Sequence, residues 1–182
     1  MTKIILLGSC CRISKEIRNL NLKDDLPNSL FEYTCNIHFD EVLKVINNII
    51  KFDLLKEPIT MRINEPNDFF LYDTSIKTNH YNGTLEQKKR RDKSLYEYIF
   101  RRRSLRFIND IKSGEPILFI RDTNKEITKK QYDEFNNIIK SINKKCYYKL
   151  LIIDLENQKE SSLNKCKTWF YFLNIINYVK IF

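Results

Sequence analysis

Cys11 lies directly after the first apolar run of the chain, at a position where a thiolate would be stabilised. Residues 3–7 form that run, Gly8 ends it, and residues 11–20 resume with the apolar spacing of a helix. The N-terminus of a helix presents unpaired backbone N–H groups and a partial positive charge, and both favour an anion. A thiol at such a position has a lowered pKa, and the neighbouring Arg12 favours the thiolate further. Cys11 is therefore the predicted nucleophile.

Other interpretations of the same corner stay open. Cysteine is among the most buried residue types, so Cys11 could simply pack as a small apolar side chain. Ser9 is an alternative nucleophile, because a serine in a strand-to-helix turn resembles a nucleophile elbow, although the full G-x-S-x-G pattern is absent. Ser9 could also act only as the N-cap of the following helix.

A histidine in a polar loop is the predicted general base. His80 lies in residues 78–83, ahead of a long predicted helix. Its imidazole could take the proton of the Cys11 thiol and return it to the leaving group. The alternative is a structural role, which is the commoner one for a lone histidine. Three carboxylates are candidates for orienting the imidazole: Asp73, Asp122 and Asp154.

Residues that follow two predicted strands complete the predicted site. Asp154 directly follows one strand, and we assign it to the catalytic set. Arg121 and Asp122 follow the strand 117–120. Together with Arg12 they are the predicted substrate-binding residues, with Arg121 holding an anionic group of the substrate.

Strands and helices alternate along the sequence. The runs 3–7, 117–120 and 149–153 are nearly continuous in apolar residues, as is typical of buried parallel strands. Helical patterns cover residues 11–20, 39–51, 84–112, 128–142 with Thr128 as N-cap, and 163–173; shorter strands are predicted at 59–63, 69–72, 76–80 and 178–181.

This alternation predicts an α/β fold with three layers, in which helices flank a mainly parallel central sheet, as in Rossmann-like or flavodoxin-like proteins. Sites in such sheets lie beyond the carboxyl ends of the strands. The predicted site residues that follow strands would therefore meet at one edge of the sheet.

Length and composition narrow the class of protein. The 182 residues suit a single domain spanning 1–182. We expect an intracellular, cytoplasmic protein, because no membrane span and no signal peptide is evident in the sequence.

Five cysteines without CxxC pairs indicate reduced thiols rather than a disulfide framework or a zinc site. With three glycines and neither GxGxxG nor GxxxxGK, no cofactor is expected. The Lys-, Asn- and Ile-rich composition is common in AT-rich genomes, including those of some viruses.

A basic helix is the second notable feature. Residues 88–91 and 101–103 are all basic, Arg106 follows, and the chain has a net charge of +9. One interpretation is a helix face that is only solvated. The alternative is a surface that binds nucleic acid or an acidic partner. The aromatic residues follow the apolar stripe of the helix, so we predict no exposed stacking platform.

Four short segments occur in a recognisable order: Leu-Gly-Ser-Cys-Cys-Arg at 7–12, Ile-Arg-Asn-Leu-Asn-Leu at 17–22, Lys-Arg-Arg at 89–91 and Leu-Phe-Ile-Arg at 118–121. In this order they resemble a family of uncharacterised proteins described as papain-like cysteine peptidases. The resemblance covers about residues 3–155 and implies a Cys11 nucleophile and a His80 base. Residues 26–31 lack the Asp and Trp of the family, and His80 lacks its following Asp.

Two features of the resemblance affect the predictions. Papain-like folds place the cysteine helix against an antiparallel sheet. The apolar runs predict a parallel sheet instead, and our fold prediction follows the apolar runs. The departures near Pro27 and His80 also favour a second function: a catalytically inactive protein that binds a partner or nucleic acid through its basic helix. The leading hypothesis is a cysteine hydrolase acting on a peptide, amide or ester.

Overall fold

A computed structural model describes residues 3–8, 29–31, 34–35, 38–51, 61–64, 68–71, 77–78, 93–123 and 125–153. Their elements, in chain order, are β1 (Lys3–Leu6), β2 (Thr34–Cys35), α1 (Phe39–Lys51), β3 (Met61–Asn64), β4 (Asp68–Leu71), β5 (Lys77–Thr78), α2 (Lys93–Lys112), β6 (Ile117–Asp122), α3 (Lys129–Ile142) and β7 (Tyr148–Ile153).

The three apolar runs form a parallel sheet in the order β1-β6-β7. Leu6 pairs with Ile120, and Asp122 pairs with Ile153, so the three strands run in the same direction and in register. The parallel pairing confirms the prediction from the apolar runs. Since three described helices accompany this sheet, the chain belongs to the α/β class.

Aromatic side chains join the sheet to the helices. The Phe119 ring on β6 lies 5.1 Å from Phe135 of α3 and 6.2 Å from Phe107 of α2, centroid to centroid. Phe135 in turn lies 5.7 Å from Phe39 of α1. Edge-to-face and tilted pairs at these spacings add to the stabilisation from apolar burial. All three helices therefore share one core with the same face of the sheet.

Local sequence explains where α1 and α3 begin and end. Helix α1 has two acidic residues in its first turn and Lys51 in its last, which suits the helix dipole. At the start of α3, the Thr128 hydroxyl accepts a hydrogen bond from the Gln131 N–H, and the Gln131 side chain accepts one from the Thr128 N–H. This capping box satisfies two otherwise unpaired donors and confirms Thr128 as the N-cap.

Helix α2 ends where the sequence predicts. Ser113 donates its N–H to the carbonyl of Asn109, and Gly114 follows with φ 77°, a conformation that glycine adopts without strain. Asn143 donates its side-chain N–H to the carbonyl of Ile111 at 2.9 Å. The loop after α3 thus satisfies a terminal carbonyl of α2 and ties the two helices together.

A charged contact fastens β1 to the end of α2. The Lys3 ammonium lies 2.8 Å from the Asp110 carboxylate and 3.1 Å from that of Glu115. The hydrogen bond to Asp110 is the main cause of a raised Lys3 pKa, and it outweighs the lowering effect of burial. This contact links the start of the chain to a helix more than a hundred residues later.

The remaining described strands form a second sheet that the sequence did not predict as a unit. Its order is β2-β5-β4-β3 and all its pairs are antiparallel. The predicted strands near 59–63, 69–72 and 76–80 correspond to β3, β4 and β5. Strand β2 was not predicted, because a two-residue strand acquires its conformation from its partner rather than from any local pattern.

Some predicted elements lie outside the described residues. They are the helix 11–20, the part of the basic helix before Lys93, the helix 163–173 and the strand 178–181. Of the described helices, none combines the length and the apolar character needed to cross a membrane.

Candidate functional site

The carboxyl ends of the three parallel strands meet at one edge of the sheet, which we call the rim. Strand β1 ends at Leu6, β6 ends at Asp122, and β7 ends at Ile153. Because Leu6 pairs with Ile120 and Asp122 pairs with Ile153, these ends are neighbours across the sheet. Loops beyond such ends are where open α/β sheets carry their sites.

At the rim, the two residues that follow β1, Leu7 and Gly8, are buried. The Leu7 N–H donates to the carbonyl of Ile120 at 2.8 Å, which extends the pairing of β1 with β6 by one residue. Gly8 is buried and has φ 74°, in the region that residues with a Cβ rarely adopt. The backbone thus adopts a left-handed conformation at Gly8, immediately before Ser9, Cys10 and Cys11 in the sequence.

Arg121 is the functional candidate that the structure describes most fully. Its side chain is 1% exposed and its guanidinium donates a hydrogen bond from Nη1 to the Leu7 carbonyl at 3.1 Å. The guanidinium also lies over the Phe39 ring, 5.3 Å from its centroid, in cation–π geometry. Arg121 therefore connects β6 to the end of β1 and to the start of α1.

This arrangement places a buried positive charge at the point where β1 leaves the sheet. A buried guanidinium is stable only where its donors find acceptors, and the Leu7 carbonyl is one of them. The predicted contact between Arg121 and a substrate anion stays a prediction. The observed contacts of Arg121 are with the protein itself. Its hydrogen bond fixes the position of the Leu7 carbonyl, next to Gly8.

We expect Arg121→Met to destabilise the protein by about 1.5–3 kcal/mol, the range for a lost hydrogen bond to a charged donor. The thioether fills much of the same space but leaves the Leu7 carbonyl without this donor. Urea unfolding of the variant measures the effect. Arg102→Met, at an exposed position, is the matched control and should change stability by less than about 0.5 kcal/mol. Equal losses in the two variants would contradict the assigned role.

Apart from Asp122, the other predicted site residues lie in parts of the chain that the structure does not describe. These residues are Ser9, Cys11, Arg12, His80 and Asp154. Asp122 is described through its backbone alone, as the last residue of β6. The sequence connects three of the predicted residues to the rim: Ser9 and Cys11 follow Gly8 within three positions, and Asp154 follows Ile153 directly.

Cys146 is the cysteine whose side chain the structure describes. It is 1% exposed, and burial is the main cause of its raised pKa, against a smaller lowering effect of the Lys140 charge. A raised pKa leaves less thiolate at neutral pH, so this thiol should react slowly. The structural role predicted for Cys146 agrees with its burial.

The described part of the basic helix differs from the prediction in one respect. Phe100, Phe107 and Ile111 are buried, as their helical spacing predicts. Tyr98, however, is 60% exposed, and the Arg102 guanidinium lies 5.7 Å from its ring centroid. The prediction that aromatic residues stay within the apolar stripe is therefore wrong for Tyr98.

Two contacts were not predicted from the sequence: that of Phe39 with Arg121 and that of Tyr98 with Arg102. Phe39 was predicted only as the first residue of the helix 39–51, and nothing local indicates that it lies against an arginine 82 positions later. Tyr98 could have been found, because at about 100° per residue it lies nearly opposite Phe107 on the helix. Among the described residues, no group of three His, Cys, Asp or Glu side chains is arranged to hold a metal ion.

Comparisons of the chain with protein families, with curated proteins and with solved structures find no match.

Proposed function

We propose that this chain is a cysteine hydrolase of a peptide, amide or ester, with its site beyond the rim. Cys11 is the nucleophile, His80 is the general base, and Asp154 is the carboxylate that orients His80. Relationship to the papain-like cysteine peptidase family is part of the same proposal. The observation that carries it is the convergence of three strand ends at the rim, with the Cys11 and Asp154 segments leaving from two of them.

The proposed reaction needs two steps. The Cys11 thiolate attacks the carbonyl carbon of the substrate, and His80 delivers a proton to the departing amine or alcohol, which leaves a thioester. Water then hydrolyses the thioester, with His80 accepting the proton of the water. Backbone N–H groups at residues 10–12 are the proposed donors to the oxyanion in both steps.

Features of the described rim support this proposal. Gly8 is buried and has a φ of 74°, so the described backbone has a fixed conformation at the residue that precedes Ser9 in the sequence. Arg121 holds the Leu7 carbonyl at that point, and its buried charge favours an anion nearby. A nucleophile that must ionise benefits from both a fixed backbone and a positive field.

We also propose that the sheet is the centre of a three-layer, Rossmann-like or flavodoxin-like arrangement. Ile5 and Phe119 face the described helices. Because successive side chains of a strand point to opposite faces, their neighbours in β1 and β6 point to the other face of the sheet. On that opposite face, Leu6 and Ile120 are 0% exposed and Leu118 is 3% exposed. Burial of both faces is typical of parallel sheets covered by helices on each side.

Alkylation of the folded protein with iodoacetamide from pH 5 to pH 9 tests the nucleophile. Peptide mass spectrometry should show Cys11 reacting much faster than Cys146, with a midpoint at about 3.5–7.5 rather than the roughly 8.5 of a free thiol. His80→Ala should move that midpoint upward, because it removes the partner of the thiolate.

Two controls make the labelling decisive. In urea, Cys11 and Cys146 should react at similar rates, which shows that the fold creates the difference. If Cys11 labels as slowly as Cys146 in the folded protein, Cys11 is not the nucleophile. Labelling of Ser9 by a fluorophosphonate probe would instead support the serine hydrolase alternative.

A further inference from the structure

The outer face of α2, the side around Tyr98 and Arg102, carries several basic side chains, and Leu105 on this side packs against the core. Between Glu97 and Lys112 the helix holds five basic and two acidic side chains. The buried stripe comprises Phe100, Ser104, Phe107 and Ile111. At about 100° per residue, Tyr98 and Arg102 lie on the side opposite that stripe.

The charges on this outer face have a single sign. Arg102 and Lys112 are exposed and lie within about 40° of the direction of Tyr98, and the half-buried Arg101 and Arg106 lie within about 80°, whereas Glu97 and Asp110 lie at the edges of the face. Asp110 is moreover paired with Lys3. At about 1.5 Å per residue, the stretch from Tyr98 to Lys112 is about 21 Å long. A long ligand with regularly spaced negative charges would match it.

An exposed aromatic ring beside an arginine distinguishes this face from a merely solvated one. Tyr98 is 60% exposed, and Arg102 one turn later lies over its ring. Single-stranded nucleic acids bind through such pairs, since bases stack on aromatic rings while arginines contact the phosphates. An acidic protein would use the charges but gain less from the exposed ring.

We propose that the outer face of α2 binds single-stranded nucleic acid, with Tyr98 as a stacking residue and Arg102 as a phosphate contact. This surface is formed by a helix rather than by the strand ends of the rim, and the proposal does not depend on the proposed hydrolase. It is complementary in charge to its ligand, and the net charge of +9 on the whole chain favours the same association.

Fluorescence anisotropy with a labelled 20-nucleotide oligodeoxythymidine tests this proposal with the full chain. The dissociation constant of the wild type should rise steeply between 50 and 200 mM salt. Tyr98→Ala should weaken binding about fivefold or more, the lower range for loss of one stacked base. Arg102→Gln should weaken binding and lower the salt-dependence exponent by about 0.7, the value for one phosphate contact on a single strand.

Matched variants on other surfaces are the controls. Tyr147→Ala removes a similarly exposed tyrosine, and Lys129→Gln removes one positive charge from an exposed position on α3. Both should bind the oligonucleotide within about twofold of the wild type. Circular dichroism confirms that all variants are folded.

Three outcomes would overturn the proposal. These are no binding at 50 mM salt, equal losses in the Arg102→Gln and Lys129→Gln variants, or tight binding to polyglutamate that Tyr98→Ala leaves unchanged. The first outcome removes nucleic acid as a ligand. The second indicates a general charge effect, and the third indicates an acidic protein as the partner of this face.

Discussion

Phe119→Ala should reduce the free energy of unfolding by about 3–5 kcal/mol, the range for truncating a buried phenylalanine. Phe119 is 0% exposed and lies at the centre of the aromatic cluster, within 5.5 Å of Tyr148 and 5.1 Å of Phe135 between ring centroids. The substitution removes apolar contacts with α2, α3 and β7 together. A typical domain is stable by only about 5–15 kcal/mol, so this loss is a large fraction of the total.

Urea unfolding measured by circular dichroism checks this result. The midpoint should fall with little change in the slope, since the change is in stability rather than in the surface exposed on unfolding. Phe119→Leu, which keeps most of the volume, should cost less. Tyr147→Ala is the matched control, because this tyrosine is 53% exposed and its removal should cost less than about 0.5 kcal/mol. A loss below about 1 kcal/mol for Phe119→Ala would contradict the described core.

Ile120→Ala should cost about 2–5 kcal/mol, although Ile120 points away from the described helices. Its side chain is 0% exposed, and it neighbours Leu6 and Leu118 on the same face of the sheet. A buried isoleucine leaves a cavity when truncated, whichever face it occupies. The size of the loss therefore measures how completely the second face is covered.

Ile152→Ala is the matched control for Ile120→Ala. It is the same substitution in the adjacent strand, at a residue that is 38% exposed, so its cost should be well below that of Ile120→Ala. Thermal or urea unfolding of the two variants provides the comparison. Similar small losses for both would mean that the second face is open, and the proposed three-layer arrangement would then be wrong.

These experiments separate structural roles from functional ones at the rim. Arg121 is the one predicted site residue whose side chain the structure describes, and its contacts are with Leu7 and Phe39. Stability measurements report on those contacts. The labelling of Cys11 reports on the proposed chemistry, and the oligonucleotide binding of Tyr98 and Arg102 variants reports on a different surface. Failure of any one of them leaves the others interpretable.

Elements whose signals are local were predicted correctly from the sequence. Helix α1 was predicted at 39–51 and observed as Phe39–Lys51, because its apolar spacing and terminal charges lie within the helix itself. The Thr128 cap, the end of α2 before Gly114 and the strand character of the three apolar runs were predicted for the same reason. Each depends on residues close together in the chain, where conformational preferences act directly.

Which distant segments meet depends on how the chain packs. The order β1-β6-β7 brings Leu7 beside Arg121, 114 positions later, and the fold then lays Phe39 against the same guanidinium. An arginine after an apolar strand suggests contact with a ligand, and nothing local indicates that the protein's own carbonyl is its acceptor. The pairing of β2 with β5 likewise depends on a partner more than 40 positions away. Burial and hydrogen bonding between remote segments are properties of the packed chain, since local sequence does not encode which partners become neighbours.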